Sequence, residues 1–178
     1  MIPSQVWVFI FTFLMMTSSV QAEVSPKTAV ANLVNSKGER IGTASLTETS
    51  KGVKVAIEAS HLPAGDHGIH FHQTGNCTAP GFKSAGEHFD PSGKQHGLKH
   101  AAGPHAGDLP NLKVESNGRV TTEFTTSRVT LGSGKNSLLK PGSTAIVIHS
   151  KRDDQLTQPS GDSGDRIACG VIKVSATR

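Results

Sequence analysis

Strict two-residue alternation, interrupted at short intervals by turn residues, constrains this chain more than any other feature. Thr28-Ala29-Val30-Ala31-Asn32-Leu33-Val34 runs into the turn-forming Asn35-Ser36-Lys37-Gly38. Arg40–Thr49 sets Ile41, Thr43, Ser45 and Thr47 against Gly42, Ala44 and Leu46, which places Ile41 opposite Ala44 and Leu46. Ser50-Lys51-Gly52 then turns into Val53-Lys54-Val55-Ala56-Ile57-Glu58-Ala59. Successive side chains of a strand point to opposite faces, so three such runs at this spacing predict an antiparallel meander with one buried face. A further run lies in Arg119–Leu131, and a last strand is predicted over Arg166–Val174. No window carries apolar residues at i, i+3, i+4 and i+7 behind a capping residue, so helices are not expected. The fold class is all-β, a sandwich or barrel.

The first 22 residues belong to a different problem. Val6–Met16 is apolar except for Thr12 and too short to cross a bilayer, and Val20-Gln21-Ala22 offers small residues for a signal peptidase. Residues 1–22 are therefore expected to be a removed signal peptide, and 23–178 a single β-barrel domain exported to a periplasm, a cell wall or the medium. An uncleaved anchor is the alternative, since the leader lacks Lys and Arg.

After the leader the chain keeps its net charge of +4. No Lys/Arg run is interleaved with aromatic residues, so nucleic acid is not an expected partner, and small anions or cell-wall polymers are. No stable membrane insertion of the mature chain is expected. Two cysteines, Cys77 and Cys169, in an exported chain read as one disulfide. Closing a loop of that length contributes on the order of 4 kcal/mol in the chain-entropy model. Two thiolate ligands are the other reading, disfavoured because neither cysteine has a partner at metal-finger spacing.

Two long segments, Cys77–Asp108 and Ser150–Asp165, carry Gly, Pro and polar residues in place of any alternation. Long loops in a compact domain carry function or need pinning. The first holds most of an ordered series of metal-ligand types. His70 and His72 share one face of a strand-like run, and His149 ends another, Thr144–His149. Three imidazoles without thiolate suit Cu(II) or Zn(II). His88, His96, His105 and Asp108 follow the spacing His-x7-His-x8-His-x2-Asp, three nitrogens and one carboxylate that suit a closed tetrahedral zinc site. Taken alone, each group also reads as a solvated histidine-rich surface.

With these residues stand five further stretches: His67–His72 (HGIHFH), Gly86–Pro91 (GEHFDP), His105–Leu109 (HAGDL), Val147–Asp154 (VIHSKRDD) and Gly164–Ile172 (GDRIACGVI). In this order they resemble the copper,zinc superoxide dismutases over essentially the whole of Thr28–Val174. The resemblance implies an eight-stranded Greek-key β-barrel with two long functional loops. It implies copper held by His70, His72, His88 and His149, and zinc held by His88, His96, His105 and Asp108, with His88 shared. It implies the Cys77–Cys169 disulfide, Arg166 docking superoxide at the channel rim, and Asp153 linking the copper ligand His70 to the zinc ligand His96. The implied activity is conversion of superoxide to dioxygen and hydrogen peroxide through copper redox cycling. A non-catalytic secreted copper/zinc-binding relative, a metal buffer or chaperone-like domain, is the competing reading, and a zinc hydrolase a weaker one.

The match departs from the eukaryotic pattern at two places. Ser150–Asp165 is shorter, so Lys151 and Arg152 either guide the anion or are ordinary surface charges. Asp165 directly precedes Arg166 where a small polar residue is usual, and it either holds Arg166 or weakens its field. His67 is expected to be structural, and His61 and His100 to be solvent-exposed. Dimers are common among the proteins resembled, so a homodimer is an allowed assembly.

Overall fold

A computed structural model describes residues 27–175. The leader expected at 1–22 lies outside the described residues.

Ten strands follow in order: β1 (Thr28–Asn35), β2 (Arg40–Thr49), β3 (Gly52–Ala59), β4 (Gly65–His67), β5 (Ile69–His72), β6 (Leu112–Val114), β7 (Val120–Thr126), β8 (Ala145–His149), β9 (Arg166–Val171) and β10 (Lys173–Val174). They pair antiparallel in the order β5-β8-β9-β1-β2-β3-β7, with β10 beside β1, and β4 pairs β6 separately. Among the described residues the only helical element is a single 3-10 turn at Lys83–Ala85. The all-β, Greek-key reading holds.

The meander forms where alternation predicts it. In β3, Val53, Val55, Ile57 and Ala59 are buried while Lys54 and Glu58 are exposed. In β2 the expected phase fails at one point. The β1–β2 register shifts between Leu33 and Val34, so that Leu33 faces Gly42 and Val34 faces Arg40. This irregularity turns Ile41 inward with Ala44 and Leu46. The predicted last strand breaks into β9 and β10, and Arg119–Leu131 is strand only as far as Thr126.

β5 and β8 depart from the one-face rule, and the departure positions the site. Every residue of both strands is buried. Ile69, Phe71, Ile146 and Ile148 point into the main core with Leu33, Leu46 and Ile57. On the outer face Ala145 and Val147 meet Phe82, Ala85 and Cys169 in a second, smaller core. The loop after β5 supplies that second core, and the Cys77–Cys169 disulfide closes it across a sequence separation of 92. Burying Phe82 alone is worth roughly 2 kcal/mol in transfer terms. His70 pairs with Val147 and His72 with Ala145 in the β5–β8 ladder. Both histidines therefore stand on the loop-covered face, next to His149 at the end of β8.

Candidate metal centre

Six histidines and two aspartates meet between that strand face and the two long loops. Backbone pairing brings the first loop onto β5: Phe71 N–H donates to Gly107 O at 2.9 Å, Phe89 N–H to Phe71 O at 2.8 Å, and Gln73 N–H to Glu87 O at 2.9 Å. His72 and His88 form an isolated bridge, as do His70 and Asp108. Residues spread across 80 positions are thus fixed to one small patch of sheet.

The first set comprises His70, His72, His88 and His149, whose ligand atoms lie within 4.8 Å of one another. Four buried nitrogens in it have no hydrogen-bond partner: His70 Nδ1, His72 Nε2, His88 Nε2 and His149 Nε2. The opposite nitrogens are engaged. His70 Nε2–H donates to Asp153 Oδ2 at 2.7 Å, His72 Nδ1–H to Gly86 O at 2.8 Å, and His149 Nδ1–H to Gly164 O at 3.2 Å. An acceptor at one ring nitrogen fixes the proton there and leaves a lone pair on the other. Three rings therefore aim lone pairs at one point, and His88 adds a fourth nitrogen.

The second set gathers around Asp108. Its Oδ1 lies 3.1 Å from His88 Nδ1, 3.0 Å from His96 Nδ1 and 3.4 Å from His105 Nδ1, and His105 Nδ1 lies 3.4 Å from His88 Nδ1. Four ligands at about 2.0 Å from a tetrahedral zinc stand roughly 3.3 Å apart. The four spacings given match that edge length. His70 also comes within 4.8 Å of His88, His96 and Asp108. Its Nε2 is taken by Asp153 and its Nδ1 is one of the four unpartnered nitrogens, so it belongs with the first set. His105 completes the second. His88 alone faces both, with Nε2 toward one and Nδ1 toward the other.

Electrostatics keep the first set in the metal-competent form. Burial, with repulsion from neighbouring His88, holds His70 and His72 well below the ordinary histidine value. Burial likewise lowers His88, and lowers His149 to about 4. Their neutral imidazoles are what a metal needs. His96 goes the other way: burial opposes its charge, but bonds to Asp108 and Asp153 outweigh it and raise the ring to about 9. Burial pushes both aspartates up, yet the imidazoles around Asp108 and around Asp153 hold them well below the carboxylate range.

Asp153 is fully buried between the sets. Its Oδ2 accepts from His70, and its Oδ1 accepts from His96 Nε2–H at 3.1 Å and from Gln155 N–H at 2.6 Å. Gly161, at φ +67, passes over this carboxylate so closely that a Cβ there would overlap Oδ1. Arg128 Nη2–H donates to Asp108 O. Sequence reasoning had no signal for Arg128, Asn111, Gln155 or Gln158. Each acts through a contact at least 20 positions away in the sequence.

An open cavity of 630 Å³ is lined by Lys83, Glu87, Gly164, Asp165 and Arg166 among others; Glu87 directly precedes His88, and Gly164 O accepts from His149. Arg166 is held by Nη1–H donating to Phe82 O at 3.0 Å. Asp165 makes no ion pair with Arg166 among the described residues; its N–H donates to Ser150 Oγ at 2.9 Å. Arg152 pairs with Asp66 at 3.5 Å, and Lys151 is exposed. His67 is buried, 2.8 Å from His149 O and 2.9 Å from Pro63 O. His61 is exposed. His100 is half-buried and caps a turn, its Nδ1 accepting from Ala102 N–H.

The sequence profile of copper/zinc superoxide dismutase matches residues 40–172. The Cu-Zn superoxide dismutase 1 of Aquifex aeolicus is 49% identical over 145 residues, 80% of this chain and 86% of that protein. The Cu-Zn superoxide dismutase of Escherichia coli K12 is 34% identical over 178 residues, 93% of this chain and 98% of that protein. Among solved structures, a SOD-like protein from Bacillus subtilis superposes with a TM-score of 0.78 at 39% identity, covering 80% of this chain and 96% of its own.

Proposed function

This chain belongs to the copper/zinc superoxide dismutase family, and from that premise we propose that His70, His72, His88 and His149 hold copper while His88, His96, His105 and Asp108 hold zinc. The protein is an oxidoreductase that converts superoxide to dioxygen and hydrogen peroxide, with copper and zinc as its metals. The observation that carries the ligand assignment is the set of four buried, partnerless imidazole nitrogens aimed at one point. Leaving such groups unpaired in the interior is unfavourable by about 1–3 kcal/mol each, which supports a bound ion at the point where they converge. An all-nitrogen set suits copper, and three nitrogens with a carboxylate oxygen and no open position suit zinc.

Copper, when bound, supplies the one-electron exchange with superoxide, and zinc holds the shared ring. The rest of the work falls to side chains. Arg166, always charged and tethered to Phe82 O, offers its remaining guanidinium N–H groups to a small anion in the cavity. His88 Nε2, a buried nitrogen without a hydrogen-bond partner, is the atom that would take a proton from solvent and pass it to the peroxide product, whose second proton would come from solvent. Its Nδ1, held among His96, His105 and Asp108, keeps the ring from swinging away. Asp153 fixes the protons of His70 and His96 on Nε2, so that Nδ1 of each ring stays a ligand atom.

The competing metal-buffer reading and this one separate in a single comparison. With both metals loaded, the protein consumes superoxide, and His149→Ala, which removes one of the partnerless nitrogens, abolishes that consumption. Equal consumption by the variant contradicts the assignment.

Export is also part of the proposal: the apolar Val6–Met16 stretch and the Val20-Gln21-Ala22 site support removal of residues 1–22 and a periplasmic, wall-bound or extracellular mature chain of 23–178. Mass spectrometry of the mature N-terminus tests this. A homodimer is the finer assembly expectation, decided by light scattering.

A further inference from the structure

Three carboxamide side chains tie the 150–165 loop to the segment that carries His96 and Asp108. Asn111 bonds both polar groups of the Asp153 backbone, Nδ2–H donating to its O and Oδ1 accepting from its N–H, each at 2.8 Å. Gln155 is buried, with Nε2–H donating to Leu109 O at 3.3 Å and Oε1 accepting from Leu98 N–H at 3.2 Å. Gln158 repeats the two-way pattern on His96. Its Oε1 accepts from His96 N–H at 2.8 Å, and its Nε2–H donates to His96 O at 3.0 Å and to Leu156 O at 3.1 Å.

The two-way pattern matters because a planar carboxamide presents one acceptor and one donor side, like a peptide group in a strand ladder. A partner held this way cannot rotate its backbone without breaking two bonds at once. His96 is the one member of the second set whose ring is engaged on both nitrogens by carboxylates, Nδ1 by Asp108 and Nε2 by Asp153. The aim of that ring depends on where its backbone sits. Gln158 fixes the backbone from 62 positions away.

We propose that Gln158 is a positioning residue for His96: by clasping both peptide groups of this residue it keeps the ring aimed at the second set and slows the loss of zinc. The proposal rests on reading His88, His96, His105 and Asp108 as zinc ligands. It also gives the loop that bears Gly164 and leads into Arg166 a direct mechanical link to zinc occupancy, in addition to the Asp153 bridge.

The size of the effect follows from exposure. Gln158 is exposed, so water competes for both bonds, and the consequence lies at the low end of the 10- to 100-fold range typical of residues that support metal ligands. The test uses the full copper- and zinc-loaded protein and follows zinc release to a zinc-selective fluorescent chelator at neutral pH. Gln158→Leu is expected to release zinc about tenfold faster than the unaltered protein. Gln158→Glu, which keeps the acceptor for His96 N–H and loses the donor, is expected to fall between the two. Thr157→Val serves as the control for general loosening, because the Thr157 side chain bonds only Asp154, within its own loop, and its backbone bonds to Asp154 and Gly161 survive the substitution. Its release rate is expected to stay unchanged. With cobalt in place of zinc, the visible absorption bands are expected to shift in Gln158→Leu and not in Thr157→Val. Equal release from Gln158→Leu and the unaltered protein, or equal acceleration in Thr157→Val, overturns the proposal. An unaltered protein that takes up neither zinc nor cobalt overturns the ligand assignment beneath it.

Discussion

Replacing Asp153 by Asn should weaken one metal set far more than the other. The carboxylate is fully buried and accepts three N–H groups, from His70 on Oδ2 and from His96 and Gln155 on Oδ1. An amide of the same shape has one oxygen and one NH2. Facing the oxygen toward His96 and Gln155 leaves one mismatch, whereas the opposite orientation leaves two. The NH2 therefore faces His70, whose Nε2 must become an acceptor. Its proton moves to Nδ1, the nitrogen that otherwise points at His72, His88 and His149. Returning that proton before a metal can bind, or orphaning a buried donor, costs about 1–3 kcal/mol. At 1.4 kcal/mol per tenfold, copper affinity falls roughly 10- to 100-fold, within the range of residues that orient metal ligands. His96 keeps its acceptor, so zinc affinity is expected to change by no more than about threefold. Competition with chelators of known strength, run separately for each metal, gives both numbers. Equal weakening of copper and zinc, or unchanged copper affinity, refutes the tautomer argument.

The disulfide and the pH dependence give two further checks. Removing the Cys77–Cys169 link by Cys77→Ser frees a closed loop spanning 92 positions and unpins Phe82 and Ala85; a loss on the order of 4 kcal/mol should lower the melting temperature by about 10 °C. A scanning-calorimetry change under about 3 °C contradicts that reading. In the metal-free protein, His149 titrates at about 4 against 6.5 when unfolded, so its contribution is present above pH 6.5 and is lost as the pH falls from 6.5 toward 4. His70, His72 and His88, also lowered, add to this acid-side loss. His96, raised to about 9, contributes below 6.5 and loses its effect as the pH rises from 6.5 to 9. Melting temperatures of the metal-free chain should therefore peak near pH 6.5 and fall more steeply on the acid side; a monotonic rise toward pH 4 contradicts this.

What the sequence made legible follows from how each feature is encoded. The β1–β3 meander has one face in the core and one in water, so its burial is written locally as alternation. The inward turn of Ile41 is not, because it arises from a register shift against Leu33 and Val34 on another strand. β6 spans only Leu112–Val114 and exists by pairing with β4, which leaves it too short to show a period. The ligand histidines stood out by residue type and order. Their division into two sets around His88 became geometric only when Asp108 and the four partnerless nitrogens were located. Asn111 and Gln158 look like any polar loop residues, since what distinguishes them is a backbone partner 42 or 62 positions away.

We propose a working superoxide dismutase in which two adjacent metal sites share His88. The most direct test is superoxide consumption by the purified mature protein with copper and zinc quantified on the same sample. Rapid consumption with one copper and one zinc per chain is the expected result. Full loading with both metals and no consumption contradicts the enzyme reading and leaves a metal-binding relative.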